Sequence, residues 1–247
     1  MIYDLSQPHY NGAPQFPGQP PNSTEYQQFA AEGEATVERC TFITHSGSHV
    51  DAPFHYLPEL PTISELPLAH FYGPCVAIDL QGLPDEHGIS ADDLRRHESA
   101  ITTNTMILIK TGWGDRRRNT KRFLTCWPYM SGDGAQYLLD RGVKGMGIDG
   151  LSTGGYPEKH AESDAHKLLL GAKKLLLEDI HIPDALLDGK RRFFAALPIL
   201  IVNTGGAWVR AIVWDAGDLE REDPVHQVGP QIPEAVAAQI TLMREPA

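Results

Sequence analysis

Thr44-His45-Ser46-Gly47-Ser48-His49-Val50-Asp51-Ala52-Pro53-Phe54-His55 sets three histidines and an aspartate within eleven residues. Imidazole and carboxylate together are the ligands of a borderline divalent metal such as zinc or manganese. The spacings between His45, His49, Asp51 and His55 are all even, so a fully extended strand would turn the four toward one face. It would also hold His45 and His49 about 13 Å apart, whereas Zn–N bonds are only about 2.0–2.1 Å long. Sharing an ion therefore requires the chain to turn between them, and Gly47 with its serine neighbours permits that turn. A helix would also put His45 and His49 on one face, but Pro53 and the β-branched residues before His45 argue against it. Any one of these histidines alone reads as a solvated or hydrogen-bonded loop residue. Their density around an aspartate points to a metal or catalytic site.

Outward from this stretch, short apolar runs alternate with turn signals. Cys75–Leu80, Met106–Lys110, Val143–Asp149, Lys174–Leu177, Leu197–Val202 and Trp208–Trp214 read as strands. Helices are fewer. Ser90 is placed to cap one, Ser131 precedes Ala135–Arg141 with Gly142 as the stop, and Ser163 or Asp164 can cap a third that runs through Leu168–Leu170 to Gly171. The mixture predicts an α/β fold. No repeat, low-complexity tract or linker divides the chain, so one domain over residues 1–247 is expected.

Gly145-Met146-Gly147-Ile148-Asp149-Gly150 matches the G-x-G-x-x-G dinucleotide pattern. That pattern carries meaning only between a strand and a helix. Here the strand runs through the glycines and Asp149 would face a pyrophosphate, so a nucleotide-dependent oxidoreductase is set aside.

A net charge of −11 speaks against a nucleic-acid partner, which needs a basic face. The run Arg116-Arg117-Arg118, with Lys121 and Arg122 beyond it, reads first as a solvated loop and second as a lure for an anionic substrate. The start, Met1-Ile2-Tyr3-Asp4-Leu5, has no basic or apolar leader pattern, and no apolar run is long enough to span a bilayer. Three widely spaced cysteines, Cys40, Cys75 and Cys126, fit reduced thiols. A cytoplasmic location without a membrane partner is expected. Asn22-Ser23-Thr24 matches a glycosylation sequon, which would go unused there.

A second polar group is Asp164-Ala165-His166, followed after an apolar stretch by Glu178-Asp179. A histidine in a first helical turn and an acid at the end of the next strand can meet at one end of a sheet.

With both groups in view, the sequence resembles the cyclase family of metal-dependent hydrolases, which includes bacterial kynurenine formamidases and isatin hydrolases. Its signature H-x-G-T-H-x-D-x-P-x-H is matched by residues 45–55, departing only at Ser48. Asp4-Leu5-Ser6, Phe16-Pro17-Gly18, Thr111-Gly112-Trp113 and Gly147-Ile148-Asp149 extend the likeness. The resemblance implies a swivelling β/β/α domain with a mixed sheet and flanking helices. It also implies His45, His49 and Asp51 as ligands of one ion, with Asp51, His166 and Glu178 at a second, and His55 as the catalytic acid/base. Glutamate at 178 favours two ions; relatives that replace it hold one. The cofactor is then zinc or manganese, one or two per chain.

With the metal site the resemblance implies, metal-activated water is the expected nucleophile; no serine or cysteine nucleophile is then required, and no G-x-S-x-G motif is present. The expected reaction is hydrolysis of a C–N bond in a small-molecule amide such as an N-formyl arylamine. Phe16, Phe54, Trp113 and Trp127 are candidate walls of an aryl pocket, and ordinary core packing is the competing reading for each. A cyclic amide or ester hydrolase with a single manganese is the alternative among enzymes. A structural metal-binding protein is the alternative outside them, disfavoured because closed structural zinc sites are usually rich in cysteine. The resemblance further implies a homodimer or homotetramer.

Overall fold

The structure, a computed structural model, describes residues 1–28, 35–156, 164–217, 227–228 and 234. In chain order its strands are β1 (Ile2–Asp4), β2 (Ser23–Gln28), β3 (Val37–Thr41), β4 (His49–Asp51), β5 (Tyr72–Asp79), β6 (Gly88–Ile89) and β7 (Met106–Lys110). They continue with β8 (Tyr129–Met130), β9 (Gly145–Ile148), β10 (Leu175–Glu178), β11 (Arg192–Ala195), β12 (Gly206–Trp208), β13 (Ile212–Trp214) and β14 (Gln227–Val228). The α-helices among the described residues are α1 (Ala91–Arg95), α2 (Lys121–Thr125), α3 (Gly132–Asp140) and α4 (Ala165–Gly171).

Ten strands form one curled mixed sheet in the order β12-β4-β10-β9-β7-β5-β11-β13-β1-β14. At its centre β5, β7, β9 and β10 run parallel, and they are the strands with unbroken apolar runs. A parallel sheet is covered on both faces, which is why such runs need no polar alternation. Met106, Leu108, Leu175 and Leu177 point into one core with Tyr3, Leu5, Val50, Phe194 and Ala207. Ile107, Ile109, Met146, Ile148 and Leu176 point into the other, under Leu94 of α1, Leu138 of α3 and Leu169 of α4. Antiparallel pairings extend both sides, with β4 and β12 beyond β10 and β11, β13 and β1 beyond β5, and β14 adds to β1 in parallel.

The expected helix starts hold at two places. The Ser90 hydroxyl accepts from the Asp93 amide in a full capping box, and the Ser131 hydroxyl accepts from the Gly134 amide. At α4 the capping residue is Asp164, in a left-handed conformation (φ 45°) and without a side-chain capping bond; Ser163 lies outside the described residues.

Two strand expectations are corrected. Leu197–Val202 is no strand: its contact with the sheet region is an isolated bridge from Pro198 to Val209, and Leu200 is 75% exposed. Pro198 offers no amide to a ladder, and the place beside β5 belongs to β11. Trp208–Trp214 is two strands, β12 and β13, which lie toward opposite ends of the sheet.

The glycine-rich decoy resolves as packing. A side chain on Gly145 of β9 would stand 2.2 Å from the Leu175 carbonyl oxygen of the neighbouring strand. Asn22 of the sequon is buried, and its side-chain oxygen accepts from the Ser46 hydroxyl.

Candidate metal centre

The turn demanded by the histidine spacing falls at Gly47, with φ +62°. A β-carbon there would also lie 2.3 Å from the His9 ring, so glycine meets a conformational and a steric need at once. Beyond the turn the chain enters the sheet as β4. His49 and Asp51 are two residues apart and share a face. The antiparallel register sets His49 directly opposite Glu178, which brings that carboxylate to the same face. His166 comes over the top from the first turn of α4.

The side chains converge. His45 Nδ1 lies 2.7 Å from Asp51 Oδ1, and His49 Nε2 lies 3.4 Å from both Asp51 Oδ1 and Glu178 Oε2. His166 Nε2 is 3.1 Å from Glu178 Oε1 and 3.8 Å from Asp51 Oδ2. Two overlapping ligand groups result, His45–His49–Asp51 and Asp51–His166–Glu178, each with its ligand atoms within 4.8 Å of one another. Asp51 belongs to both.

The residues fit a divalent ion on a separate observation. His49 Nδ1 lies 2.7 Å from the Gly47 carbonyl, to which it can only donate. That fixes the tautomer and leaves the lone pair on Nε2, the arrangement expected of a metal-binding histidine. Nε2 is buried without a properly formed hydrogen bond, and so is Asp51 Oδ2. Buried polar atoms are otherwise nearly always satisfied, and an ion between them accounts for both.

The electrostatics express the same crowding. Burial would lower the His49 pKa, but the close Glu178 carboxylate, 3.4 Å from Nε2, and the charge of Asp51 outweigh it and raise it to about 9. Burial would raise the Glu178 pKa, but His166 and His49 hold it well below the usual carboxylate range. Asp51 is also lowered: burial and Glu178 push upward, and His45 and His55 overcome them.

His55 stands apart from the ligand groups. It follows Pro53 in a short 3-10 helix, stacks on His45 with ring centroids 3.8 Å apart, and is open to solvent. Desolvation by the surrounding protein lowers its pKa first, and the neighbouring His45 and His166 add to this against the pull of Asp51. A cavity of about 200 Å³ opens beside it, lined by Phe16, Gln19, His45, His55, Tyr56, Leu151, Ser152 and Glu178.

Of the aromatic candidates, Phe16 lines this cavity and Phe54 does not. Trp127 is buried behind Phe16, with ring centroids 5.8 Å apart, and Trp113 is buried in the same aromatic cluster. Several participants escape sequence reasoning. Tyr56 stacks on His166 at 4.7 Å, the Thr153 amide donates to Glu178 Oε1 at 2.5 Å, and His9 packs on Phe42 with both ring nitrogens buried and unpartnered. Tyr56 directly follows the motif and was the one legible signal among them.

Support around the centre is equally specific. Ser48, the departure from the signature, donates to the Asp179 carbonyl at 2.6 Å and accepts from the Gln7 amide at 2.8 Å. Arg117 pairs with Asp179 at 2.8 Å in the interior, next to Glu178. Asp149 accepts from the Thr111 amide at 3.0 Å, the Thr111 hydroxyl at 2.5 Å and the Gly112 amide at 2.8 Å. Its role is to fix the Thr111–Gly112–Trp113 turn.

A curled mixed sheet at whose edge three histidines and two carboxylates meet in overlapping ligand groups beside a small cavity defines the metal-dependent hydrolase class. The particular family follows: the chain belongs to the cyclase family, whose model, described as putative cyclase, matches residues 3–154. It is similar to the kynurenine formamidase of Erythrobacter litoralis, 30% identical over 218 residues that span 88% of this chain and 95% of that protein. The kynurenine formamidase of Bacillus cereus is 28% identical over 211 residues, 85% of this chain and 95% of that one. A solved structure of a potential metal-dependent hydrolase with cyclase activity superposes with a TM-score of 0.72 at 27% identity, covering 90% of this chain and 99% of the other. Isatin hydrolase A from Labrenzia aggregata shares the fold, with a TM-score of 0.78 at 22% identity over 86% of this chain and 93% of its own.

Proposed function

We propose that this protein hydrolyses the C–N bond of a small amide, an N-formyl arylamine, at the His45–His49–Asp51–His166–Glu178 centre. The observation that carries the reading is the pair of buried, unpartnered ligand atoms, His49 Nε2 and Asp51 Oδ2, beside a cavity that His55 and Phe16 line. In this reading His45, His49 and Asp51 hold one divalent ion, and Asp51, His166 and Glu178 hold a second. Imidazole with carboxylate suits zinc and manganese alike. When bound, such an ion supplies Lewis acidity to a carbonyl and brings the pKa of water from about 15.7 towards 7.

The chain's own residues do the rest. Phe16, Leu151 and Tyr56 offer an apolar wall to an aryl ring. His55, kept neutral at pH 7 by its lowered pKa, takes the proton that water loses as it attacks the formyl carbon. It then gives that proton to the leaving nitrogen as the C–N bond breaks, so that amide and water become formate and an arylamine. A volume of about 200 Å³ favours a single ring with a short acyl group.

The test is a substrate panel on metal-loaded protein: N-formyl arylamines, cyclic amides with the same ring, and aryl esters. The expected preference is for the N-formyl arylamine. A higher kcat/KM on the cyclic amide would replace this reading with a lactam hydrolase. We also propose a homodimer or homotetramer in the cytoplasm. The exposed apolar side chains of Leu197, Ile199, Leu200 and Val202 support self-association, as such patches do on associating proteins. Light scattering on the eluting protein checks the assembly. No helix among the described residues is long and apolar enough to cross a membrane.

A further inference from the structure

A second cavity, of about 460 Å³, is lined by Trp113, Arg116, Arg118, Thr120, Arg122 and Phe123. That volume lies within the range of small-ligand pockets, about 300–1,000 Å³. Trp113 and Phe123 are its buried floor, their rings near-parallel with centroids 6.2 Å apart. The guanidinium carbons of Arg116 and Arg122 stand 5.7 and 5.9 Å from the centre of the Trp113 ring. An arginine over an indole is held by cation–π attraction, and this keeps its charge at the rim of the cavity.

The charge balance there is opposite to that of the whole chain, whose net charge is −11. The acids nearby are mostly engaged elsewhere. Asp115, next to Arg116 in sequence, turns to Lys110 at 3.0 Å and His181 at 3.4 Å. Asp179 is taken by Arg117, the one member of the arginine run that points inward. Asp85 chelates Arg122 through contacts of 2.7 and 2.8 Å, and its field reaches Arg116. Among the described residues, Arg116 and Arg118 make no ion pair. The guanidiniums of Arg116 and Arg122 thus stand over an apolar floor that Arg118 also lines, against the one carboxylate of Asp85.

We infer that this cleft is a second ligand site, separate from the metal centre, that takes a small aryl carboxylate. The ring lies over the Trp113–Phe123 floor, and the carboxylate is held by the guanidinium forks of Arg116 and Arg118, which match its geometry. An inorganic anion would leave the floor uncovered, and a neutral ring would leave the guanidiniums unpaired. The two cavities also draw residues from one apolar cluster. Trp113, Phe123, Trp127 and Leu151 form one cluster against which Phe16 packs, and Leu151 and Phe16 line the cavity at the metal centre. The inference does not depend on what the metal centre hydrolyses.

Calorimetric titration with benzoate tests it, on metal-loaded protein and on the R116Q/R118Q variant, with benzamide and inorganic phosphate as the other probes. Both arginines are exposed, so the substitutions leave the core packing untouched. Benzoate is expected to bind the parent protein at least tenfold more tightly than benzamide or phosphate, and to lose at least tenfold in the double variant. Equal benzoate affinity in parent and variant would assign the binding to the metal centre and overturn the inference. Phosphate binding as tight as benzoate would overturn the aryl carboxylate in favour of a general anion site, and no benzoate binding to the parent would remove the site altogether.

Discussion

His49 is held by two carboxylates and one carbonyl, and its protonation decides how the centre takes up an ion. Its pKa rises from 6.5 to about 9 because Glu178 and Asp51 outweigh the cost of burial. The ion-free protein therefore carries His49 charged at neutral pH, and an incoming metal must displace that proton. Loading with zinc or manganese at pH 7.5 in weak buffer is expected to release protons, with affinity climbing as pH approaches 9. Uptake without proton release would end the ligand role of His49. The sign for stability follows. A raised pKa stabilises the ion-free fold in full below about pH 6.5, and that contribution fades as pH rises through about 9. At His55 the prediction concerns rate. H55A is expected to cut kcat by about two to four orders of magnitude with metal content unchanged, and near-parental turnover would remove it from catalysis.

At the scale of elements, single residues on β12, β9 and α1 bear on placement. β12 passes so close to His45 that a β-carbon on Gly206 would lie 2.4 Å from the imidazole Cε1. The ring is the part that can move, so G206A is expected to displace a ligand and weaken metal binding at least tenfold, with the far-UV spectrum intact. Metal titration against the parent reads this directly. On β9 the neighbour is backbone, 2.2 Å from a β-carbon on Gly145, and the strand spacing itself would give way. α1 lies on the helical face, away from the centre, and depends on its capping box. S90A is expected to cost about 1 kcal/mol, or about 2–4 °C in Tm, and to leave metal content alone. A variant that lost metal would show coupling between α1 and the centre that its position does not suggest.

Across the whole molecule the centre joins segments far apart in sequence. His45 precedes β4, His49 and Asp51 are in it, Glu178 ends β10 and His166 begins α4. An ion bound among them favours the folded chain by RT ln(1 + [L]/Kd), about 2.7 kcal/mol when the free ion is at 100 times Kd. Chelation is therefore expected to lower Tm, with the loss reversed by added ion in a concentration-dependent way. The loss in hydrogen-exchange protection is expected to be largest over residues 45–55. An unchanged Tm with the ion demonstrably removed would mean the ligands are fully satisfied by one another.

The sequence by itself determined the parts that short-range geometry encodes. Residues 45–55 gave the ligand types and the need for a turn at Gly47. The apolar runs of β5, β7, β9 and β10 marked strands of an α/β fold; that their sheet is covered on both faces, as continuous burial requires, came from the structure. Only the tertiary structure decided which distant groups meet. Glu178 joins His49 through a strand register, Asp149 is drawn into the Thr111–Gly112 turn, and Arg117 turns inward between two arginines that face solvent. Leu197–Val202 reads like the strands of the core but is left outside, since the position beside β5 is filled by β11. Hydrophobic periodicity states that a residue prefers burial; which partner buries it depends on register and on competition for places in the sheet.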